Sequence, residues 1–259
     1  MMLRQGELIY LLDDRGKKHW VVLSEGMAKI SGLGVIDCTR LIGKQEGEWI
    51  TIADRRFVLL RPGAIEFMES LERAAQVITA KDAATILFRL DLKCGDVIVE
   101  AGVGSGSLTT ALLNSVAPNG KVISVEVRED MASRARKNIS RMASSNCWDL
   151  RLGNIISIII DTEADAVVLD IPNPWDALDN VELFLRPGGR FCAYLPNTNQ
   201  VETVVRALRK RGFVDIEVVE NIQRGMDVHE SGIRPSFEML GHTGYLTFAR
   251  RTVLEKEKR

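Results

Sequence analysis

The chain is poor in the residues that staple, ligate or anchor. Its 259 residues hold four cysteines, Cys38, Cys94, Cys147 and Cys192, and three histidines, His19, His229 and His242. No cysteines are spaced C-x-x-C and the histidines share no short spacing, so neither a zinc site nor a disulfide framework is written in the pattern, and no metal is expected. Such scattered thiols suit a reduced compartment. The strongest apolar run, Ile155–Ile160, is broken by Ser157, far short of the ~20 residues that cross a bilayer. The first turns carry Arg4, Glu7, Asp13 and Asp14, which is not the pattern of a signal peptide. A soluble, cytoplasmic protein with no membrane partner is the expectation. Lys and Arg total 34 against 35 Asp and Glu, a formal net charge of −1. Bulk charge therefore announces no nucleic-acid partner, and any such role falls to local patches. There are no internal repeats or low-complexity segments.

What is present begins with Val97–Leu108, V-I-V-E-A-G-V-G-S-G-S-L. An apolar run leads into Glu100 and then into Gly102, Gly104 and Gly106, followed by a helical pattern at Leu108, Ala111 and Leu112. This reads as strand, loop and helix at the start of a βαβ unit. A dinucleotide loop has the spacing G-x-G-x-x-G; counting from Gly102, the sixth place here holds Ser107. The spacing G-x-G-x-G suits a nucleoside cofactor without phosphates, of which S-adenosylmethionine is the common one.

The rest of the chain separates into two patterns. Over residues 1–62, short apolar stretches (Leu8–Leu12, Trp20–Leu23, Trp49–Ile52, Phe57–Leu60) alternate with polar turns such as Asp13–Gly16, Gly32–Gly34 and Glu46–Glu48. That is a small N-terminal β domain, closed by Arg61-Pro62-Gly63. From residue 63 to 259 the period changes. Phe67, Leu71, Ala74 and Ala75 fit one helix and Lys81–Leu90 another. Strands at Val97–Glu100, Lys121–Val127, Trp148–Leu152, Ala166–Asp170 and Arg190–Leu195 are interleaved with helices at Leu108–Ser115, Glu129–Met142, Ala177–Leu185 and Gln200–Lys210. Strands Val214–Glu220 and Gly244–Arg251 close the series as an antiparallel edge. Alternation of this kind predicts an α/β, Rossmann-like, mostly parallel sheet with helices on both faces. Residues 221–243 are expected to be a long structureless connection, which is usually functional, and Glu255–Arg259 a disordered tail.

Open α/β sheets bind ligands at the carboxyl ends of their strands, so the acids there are the candidates. Glu126 ends the second strand about 20 residues beyond the glycine loop, where an acid accepts from ribose hydroxyls; an exposed strand-end acid is the other reading, and the pairing with the loop favours the first. Asp170 ends the fourth strand in A-V-V-L-D-I-P-N-P-W. Its carboxylate is placed to accept from an exocyclic amine, and the Trp175 indole offers a face on which a base stacks; a strand cap and a core tryptophan explain both equally well. Pro172 and Pro174 stiffen that loop. Asn154 stands where many methyltransferases place an Asp against the cofactor adenine, and its amide oxygen still accepts, without the charge-assisted bond of a carboxylate. Each histidine reads as a surface or loop residue. Lys17-Lys18, Arg55-Arg56, Arg206, Arg209, Lys210 and Arg211 are either phosphate contacts or solvated faces.

Together these segments resemble a known family. Gln76-Val-Ile-Thr-Ala-Lys-Asp-Ala-Ala84, V-E-A-G-V-G-S-G-S-L-T, V-I-S-V-E-V-R-E-D, L-D-I-P-N-P-W, L-R-P-G-G-R-F, L-P-N-T-N-Q-V and G-H-T-G-Y-L-T-F-A-R-R are similar to the TrmI-like tRNA adenine-N1 methyltransferases that modify position 58 of the T loop, most of all their archaeal members. The likeness runs from about Gln76 to Arg251, and D-I-P-N-P-W and G-H-T-G-Y-L are its most specific parts. It implies a class I S-adenosylmethionine-dependent enzyme with tRNA as substrate. Gly102, Gly104, Ser105, Gly106, Ser107 and Leu108 would contact the cofactor, Glu126 its ribose, and Asn154 and Met131 its adenine. Asp170 would sit at the reacting centre, and Pro172, Asn173 and Trp175 beside the target base. It also implies a homotetramer, and some archaeal relatives methylate position 57 as well. Two places depart from the family pattern. Thr79 and Ala80 stand where an aromatic or His and a Pro are usual, which puts stacking there in doubt. Asn154 replaces Asp.

The chemistry asks little of a base. N1 of neutral adenine already carries a lone pair, so alignment is the main catalytic device, worth up to roughly 7–11 kcal/mol. Asp170 would hold the N6 amine and offset the positive charge that develops on the ring. Three other readings stand beside this one: a protein isoaspartyl methyltransferase, a corrin-type small-molecule methyltransferase, and a non-catalytic tRNA-binding subunit. The first would not need D-I-P-N-P-W, the second would not need the extra β domain, and the third would have lost the cofactor motif.

Overall fold

The computed structural model describes residues 1–72 and 77–253. Ala74, Ala75 and Gln76, expected in a helix or in the family motif, and the tail Glu255–Arg259 lie outside the described residues. The chain divides into two compact units, Met1–Ser70 and Leu71–Arg259.

In the first unit, β1 (Leu8–Asp13), β2 (Lys18–Val22), β3 (Met27–Ile30), β4 (Gly34–Asp37), β5 (Trp49–Ile52) and β6 (Arg55–Leu60) precede a short helix α1 (Ala64–Glu69). The four apolar stretches read from the sequence form one antiparallel sheet in the order β2-β1-β6-β5, and β3 pairs with β4 across the Gly32–Gly34 turn. Period-two alternation explains the core: Ile9 and Leu11 of β1 and Phe57 and Leu59 of β6 share the buried face and pack with Leu23, Ile30 and Leu41. At the edge of that core, Asp13 ties the β1–β2 turn. Its Oδ1 accepts from the Arg15 and Lys17 N–H groups at 3.1 and 2.8 Å, and its Oδ2 meets Arg55 Nη2 at 2.8 Å and His19 Nε2 at 3.3 Å.

The second unit runs α2 (Ala80–Arg89), β7 (Val97–Ala101), α3 (Ser107–Val116), β8 (Lys121–Glu126), α4 (Glu129–Ile139), β9 (Trp148–Leu152), β10 (Ala164–Leu169), α5 (Leu178–Phe184), β11 (Leu185–Leu195), α6 (Thr198–Lys210), β12 (Val214–Glu220), β13 (Met226–His229), β14 (Gly232–Pro235) and β15 (Tyr245–Arg250). Its sheet has seven strands in the order β12-β15-β11-β10-β7-β8-β9. Strands β11, β10, β7, β8 and β9 run parallel to one another, and β7, β8 and β10 are nearly continuous in apolar residues, as strands covered on both faces must be. The closing pair is antiparallel as expected, with β15 slotted between β11 and β12 and antiparallel to both. Chain crossovers leave β7 in one direction and β10 in the other, so the switch point, where such sheets bind ligands, lies between them.

One expectation fails. Residues 221–243 are not structureless: β13 and β14 form an antiparallel hairpin with Met226 opposite Pro235 and His229 opposite Gly232. Both faces of the hairpin are largely exposed, and its alternation, Met226-Asp227-Val228-His229, spans only four residues, the lower limit at which such a pattern declares a strand.

Phe57 is fully buried, with its ring edge-on to His19 and under the Arg55 guanidinium. Phe57→Ala is expected to cost about 3–5 kcal/mol, read by hydrogen exchange as lost protection across β1 and β6.

Candidate active site

Register alone assembles the site. Ala101 pairs with Leu169 on one side and Val125 on the other, and Glu126 pairs with Leu152. The next residues of these strands, Gly102, Asp170, Glu126 and the Gly153-Asn154 pair, therefore emerge at one level. They open onto a cavity of about 460 Å3, within the range of about 300–1,000 Å3 usual for small-ligand pockets. Ser105, Met131, Pro172 and Asn173 also line it, and apolar walls come from Val125, Val127, Ile155, Ile156 and Ile171. Ser107 and Leu108 line a small adjoining recess behind the glycine loop.

Glu126 organises the loop. Its Oε2 accepts from the Val103 and Gly104 N–H groups, both at 3.1 Å, and its Oε1 from the Arg128 N–H at 3.0 Å. An ionised carboxylate has about four acceptor sites. Three are taken by backbone, which leaves room for one further donor rather than two. Gly102 leaves space where it is needed: a Cβ there would stand 3.3 Å from Glu126 Oε2 and 3.6 Å from the Asp170 carbonyl oxygen. Gly106 does not line the cavity. It caps α3 at φ +84°, with Ile139 3.2 Å from where a Cβ would be, so only glycine makes the turn from loop to helix without strain.

Asp170 is stitched to β7 by backbone: its N–H donates to the Ala101 carbonyl at 2.5 Å and its carbonyl accepts from Gly102 N–H at 3.1 Å. Its side chain is open to the cavity but walled in by protein. Burial, and then the nearby Glu126 carboxylate, raise its pKa to about 6. Asn154 Oδ1 accepts from the Ile156 N–H at 3.0 Å, so the acceptor expected to face adenine also holds its own turn and has one lone pair to offer. Met131 is buried on α4 and faces the cavity. Trp175 does not line it. The Pro174–Ala177 turn carries the indole, partly buried, onto the apolar core beneath β10. Its place is that of the core tryptophan, not of a base-stacking wall.

Two residues here were not singled out from the sequence. Glu100 is buried below the loop and accepts from Thr109 Oγ1 at 2.7 Å and Ser124 Oγ at 2.6 Å. Desolvation outweighs those two bonds and raises it to about 7. Its signal was an acid inside the apolar run V-I-V-E-A. Asn138 donates to the Ser105 carbonyl at 2.9 Å and the Glu72 carbonyl at 3.2 Å and accepts from Glu72 N–H at 3.2 Å, bracing the back of the loop. Its signal was a polar residue on the buried stripe Met131, Ala132, Ala135, Asn138, Ile139. Among the basic residues read as phosphate contacts, Lys18, Arg55, Arg206 and Arg211 each pair with an acid, as solvated faces do.

A buried hydroxyl without a partner among the described residues, Ser105 Oγ, completes a donor set suited to a nucleoside-bearing amino acid: hydroxyl, carboxylates, an amide and an apolar slot. The family profile described as the tRNA methyltransferase complex GCD14 subunit matches residues 57–236, and a TrmI-like N-terminal profile matches residues 2–50. The chain belongs to the TrmI-like tRNA methyltransferase family. The tRNA (adenine(57)-N(1)/adenine(58)-N(1))-methyltransferase TrmI of Methanocaldococcus jannaschii is 33% identical, with 93% of each chain covered. A solved SAM-dependent O-methyltransferase from Thermotoga maritima superposes with a TM-score of 0.90 at 30% identity, covering 99% of this chain and 97% of that one. The tRNA (m1A58) methyltransferase TrmI of Aquifex aeolicus does so with a TM-score of 0.81 at 26% identity, covering 98% and 100%. The fold is that of class I S-adenosylmethionine-dependent methyltransferases, as the sequence led one to expect. Among the described residues no helix is long and apolar enough to cross a membrane, and no cluster of side chains is suited to a metal ion.

The raised pKa of Asp170 has a consequence for a family whose cofactor carries a sulfonium cation. The ionised carboxylate attracts a cation and the neutral acid does not. Affinity for S-adenosylmethionine is expected to strengthen as pH rises through about 6, with Glu126 and Glu100 adding to the local negative potential. Asp170→Asn should flatten that rise. Calorimetric titrations of both proteins from pH 5 to 8 check it, and an unchanged pH profile in the variant would assign the dependence elsewhere.

Proposed function

We propose that the cavity carries out methyl transfer to N1 of adenine at position 58 of the tRNA T loop, and at position 57 as well. The family membership and the relatives' named activities support the reaction, and the relative from Methanocaldococcus jannaschii supports the second position. The observation that carries the proposal is the Asp170 carboxylate, set at the end of β10 beside the glycine loop and followed by Ile171-Pro172-Asn173 along the same wall.

The residues would divide the work as follows. Bound S-adenosylmethionine supplies an electrophilic methyl carbon. Glu126 accepts from a ribose hydroxyl through its one free acceptor site while keeping the loop in shape. Asn154 and Met131 flank the cofactor adenine, and Ser105 with the Gly102–Gly104 backbone faces the amino-acid end. Ser107 and Leu108 act from the recess behind the loop, and Gly106 acts through the backbone turn it permits. Asp170 accepts a hydrogen bond from the N6 amine of the target adenine. That bond fixes the ring so that N1 faces the donor, and the negative charge offsets the positive charge the ring acquires. No group is required to remove a proton from N1 before attack. Pro172 and Asn173 form the wall against which the target base rests; Gln200 Nε2 braces that wall by donating to the Pro172 carbonyl at 2.8 Å.

The target base must leave its folded setting to reach such a cavity, at a cost of a few kcal/mol. A homo-oligomer, a tetramer by family resemblance, would enlarge the RNA-binding surface. Phe88, Ile159 and Leu183, each 80% exposed or more, offer apolar area for partner copies to cover. Cytoplasmic residence follows from the substrate.

Unmodified tRNA incubated with the protein and S-adenosylmethionine should yield 1-methyladenosine on nucleoside mass spectrometry, with reverse-transcription stops at positions 57 and 58. An isoaspartyl peptide or a corrin precursor should not accept the methyl group. Asp170→Ala should slow single-turnover transfer by roughly 100- to 1,000-fold beyond any loss of cofactor binding measured separately. Transfer at a near-normal rate would remove Asp170 from the chemistry.

A further inference from the structure

A buried polar cluster lies outside the cofactor cavity. Asp82, on the first turn of α2, is fully buried and receives four donors. Its Oδ2 accepts from Thr79 Oγ1 at 3.0 Å and Thr243 Oγ1 at 2.7 Å; its Oδ1 accepts from Lys81 Nζ at 2.9 Å and Asn221 Nδ2 at 3.1 Å. Lys81 Nζ spends its remaining protons on the Asn221 carbonyl at 2.9 Å and Thr243 Oγ1 at 2.6 Å. A buried carboxylate is tolerated only when paired and hydrogen-bonded to this degree.

The partners are not random neighbours. Asn221 follows β12 and Thr243 precedes β15, so they are the two feet of the 221–243 arm that carries the β13–β14 hairpin. One carboxylate and one ammonium thus hold both feet. The anchorage continues on the far side: the Tyr194 hydroxyl donates to the Thr243 carbonyl, and His242 Nε2 lies 3.1 Å from the Pro196 carbonyl. Glu220 and Leu195 both pair with Tyr245, so the arm leaves the sheet at the end where β10 delivers Asp170. The cluster also adjoins the cavity by chain connection, since Val77 lines it, Ile78 lines the recess behind the loop, and Ser107 Oγ donates to the Ile78 carbonyl at 3.0 Å.

The arm has surface suited to an RNA loop. The Phe237 ring is 84% exposed with the Arg234 guanidinium 4.6 Å from its centroid, held also by Asp227 at 2.9 Å. Aromatic faces and guanidinium planes of this kind stack unpaired bases.

We propose that Asp82, with Lys81, is a positioning residue for the methyl acceptor: it pins both feet of the 221–243 arm so that the Arg234–Phe237 pair holds the tRNA loop against the Asp170 side of the cavity. The inference rests on the tRNA reading above. It assigns to the Lys-Asp pair a role in substrate engagement that is separate from the cofactor.

Because Asp82→Ala would leave Lys81 buried and unpaired and threaten the fold, the test uses the feet. Thr243→Val and Asn221→Ala, singly and together, should speed hydrogen exchange across 222–240. They should raise KM for tRNA about tenfold while leaving the S-adenosylmethionine Kd and kcat at saturating tRNA near wild type. Thr243→Ser should restore both readouts, and Phe237→Ala should raise KM without changing exchange at the feet. Unchanged exchange in the double variant would refute the clamp whatever the activity. Faster exchange with unchanged KM would show that the arm does not serve the acceptor. A wild-type protein that leaves tRNA unmethylated would instead overturn the functional reading itself, and this proposal with it.

Discussion

Everything at the site depends on one carboxylate meeting three backbone N–H groups. Glu126 holds Val103, Gly104 and Arg128 at 3.0–3.1 Å, and in doing so fixes the path of the loop between β7 and α3 and the entry to α4. Sheet register brings Glu126 to the right height; its lone pairs then shape the loop that its ligand would enter. An acid at this strand end is therefore structural before it is functional. Replacing it with an amide would trade two acceptor oxygens for one and set an NH2 group against backbone donors. That dual use also explains why the carboxylate has little capacity left to spend on a ligand, and why a single strong bond to a ribose hydroxyl is the more economical expectation than a bidentate grip.

The local electrostatics point the same way. Glu100, Glu126 and Asp170 stand close together: Asp170 and Glu126 both contribute to the rise of Glu100, and Glu126 to that of Asp170. Desolvation is the larger cause in both cases. A protein gains nothing for its own stability from such a cluster. A raised Asp contributes stability only while it is protonated, below its ordinary value near 3.8, and that contribution is lost as pH climbs to about 6. At neutral pH the arrangement is a strained negative pocket, which is sensible where the ligand is cationic and where the acceptor ring becomes so. Perturbed acids of this kind gather at functional sites, and these two flank the glycine loop rather than lying elsewhere in the fold.

How much of this was legible follows from which forces leave a local trace. The parallel strands were readable because burial on both faces demands unbroken apolar runs, and the glycine loop because backbone approach demands missing side chains. Glu126 and Asp170 were found because strand ends at a switch point are the ligand side of any such sheet. Trp175 was placed ambiguously because an indole next to two prolines has the same sequence whether it faces a base or a core; only the turn at Pro174–Ala177 decides. Asn138, the Asp82 cluster and the hairpin escaped for different reasons. Asn138 acts across 33 residues on Ser105, and Asp82 across 161 on Thr243, distances over which a single sequence has no pattern to show. The hairpin has no buried face, and its alternation runs for only four residues, Met226–His229.

A reaction whose nucleophile needs no deprotonation places its difficulty in alignment. Alignment is a property of rigid supports as much as of the groups that touch substrate. That is why a buried, fully satisfied polar knot at the foot of an exposed arm belongs to the same argument as the cavity. Lys81, Asp82, Thr243 and Asn221 gain little net stability from one another once desolvation is counted, yet removing either charged member leaves its partner a buried charge without its counter-ion. The Tyr194 hydroxyl, raised to about 12 by burial and by the Asp82 carboxylate, stays protonated throughout the working range and keeps its bond to the Thr243 carbonyl. That contact is therefore kept across neutral pH. What such a knot supplies is a single arrangement of two chain segments 22 residues apart in sequence, Asn221 and Thr243, and it does so at the end of the sheet where a large, flexible nucleic acid must be brought to a tolerance of tenths of an ångström.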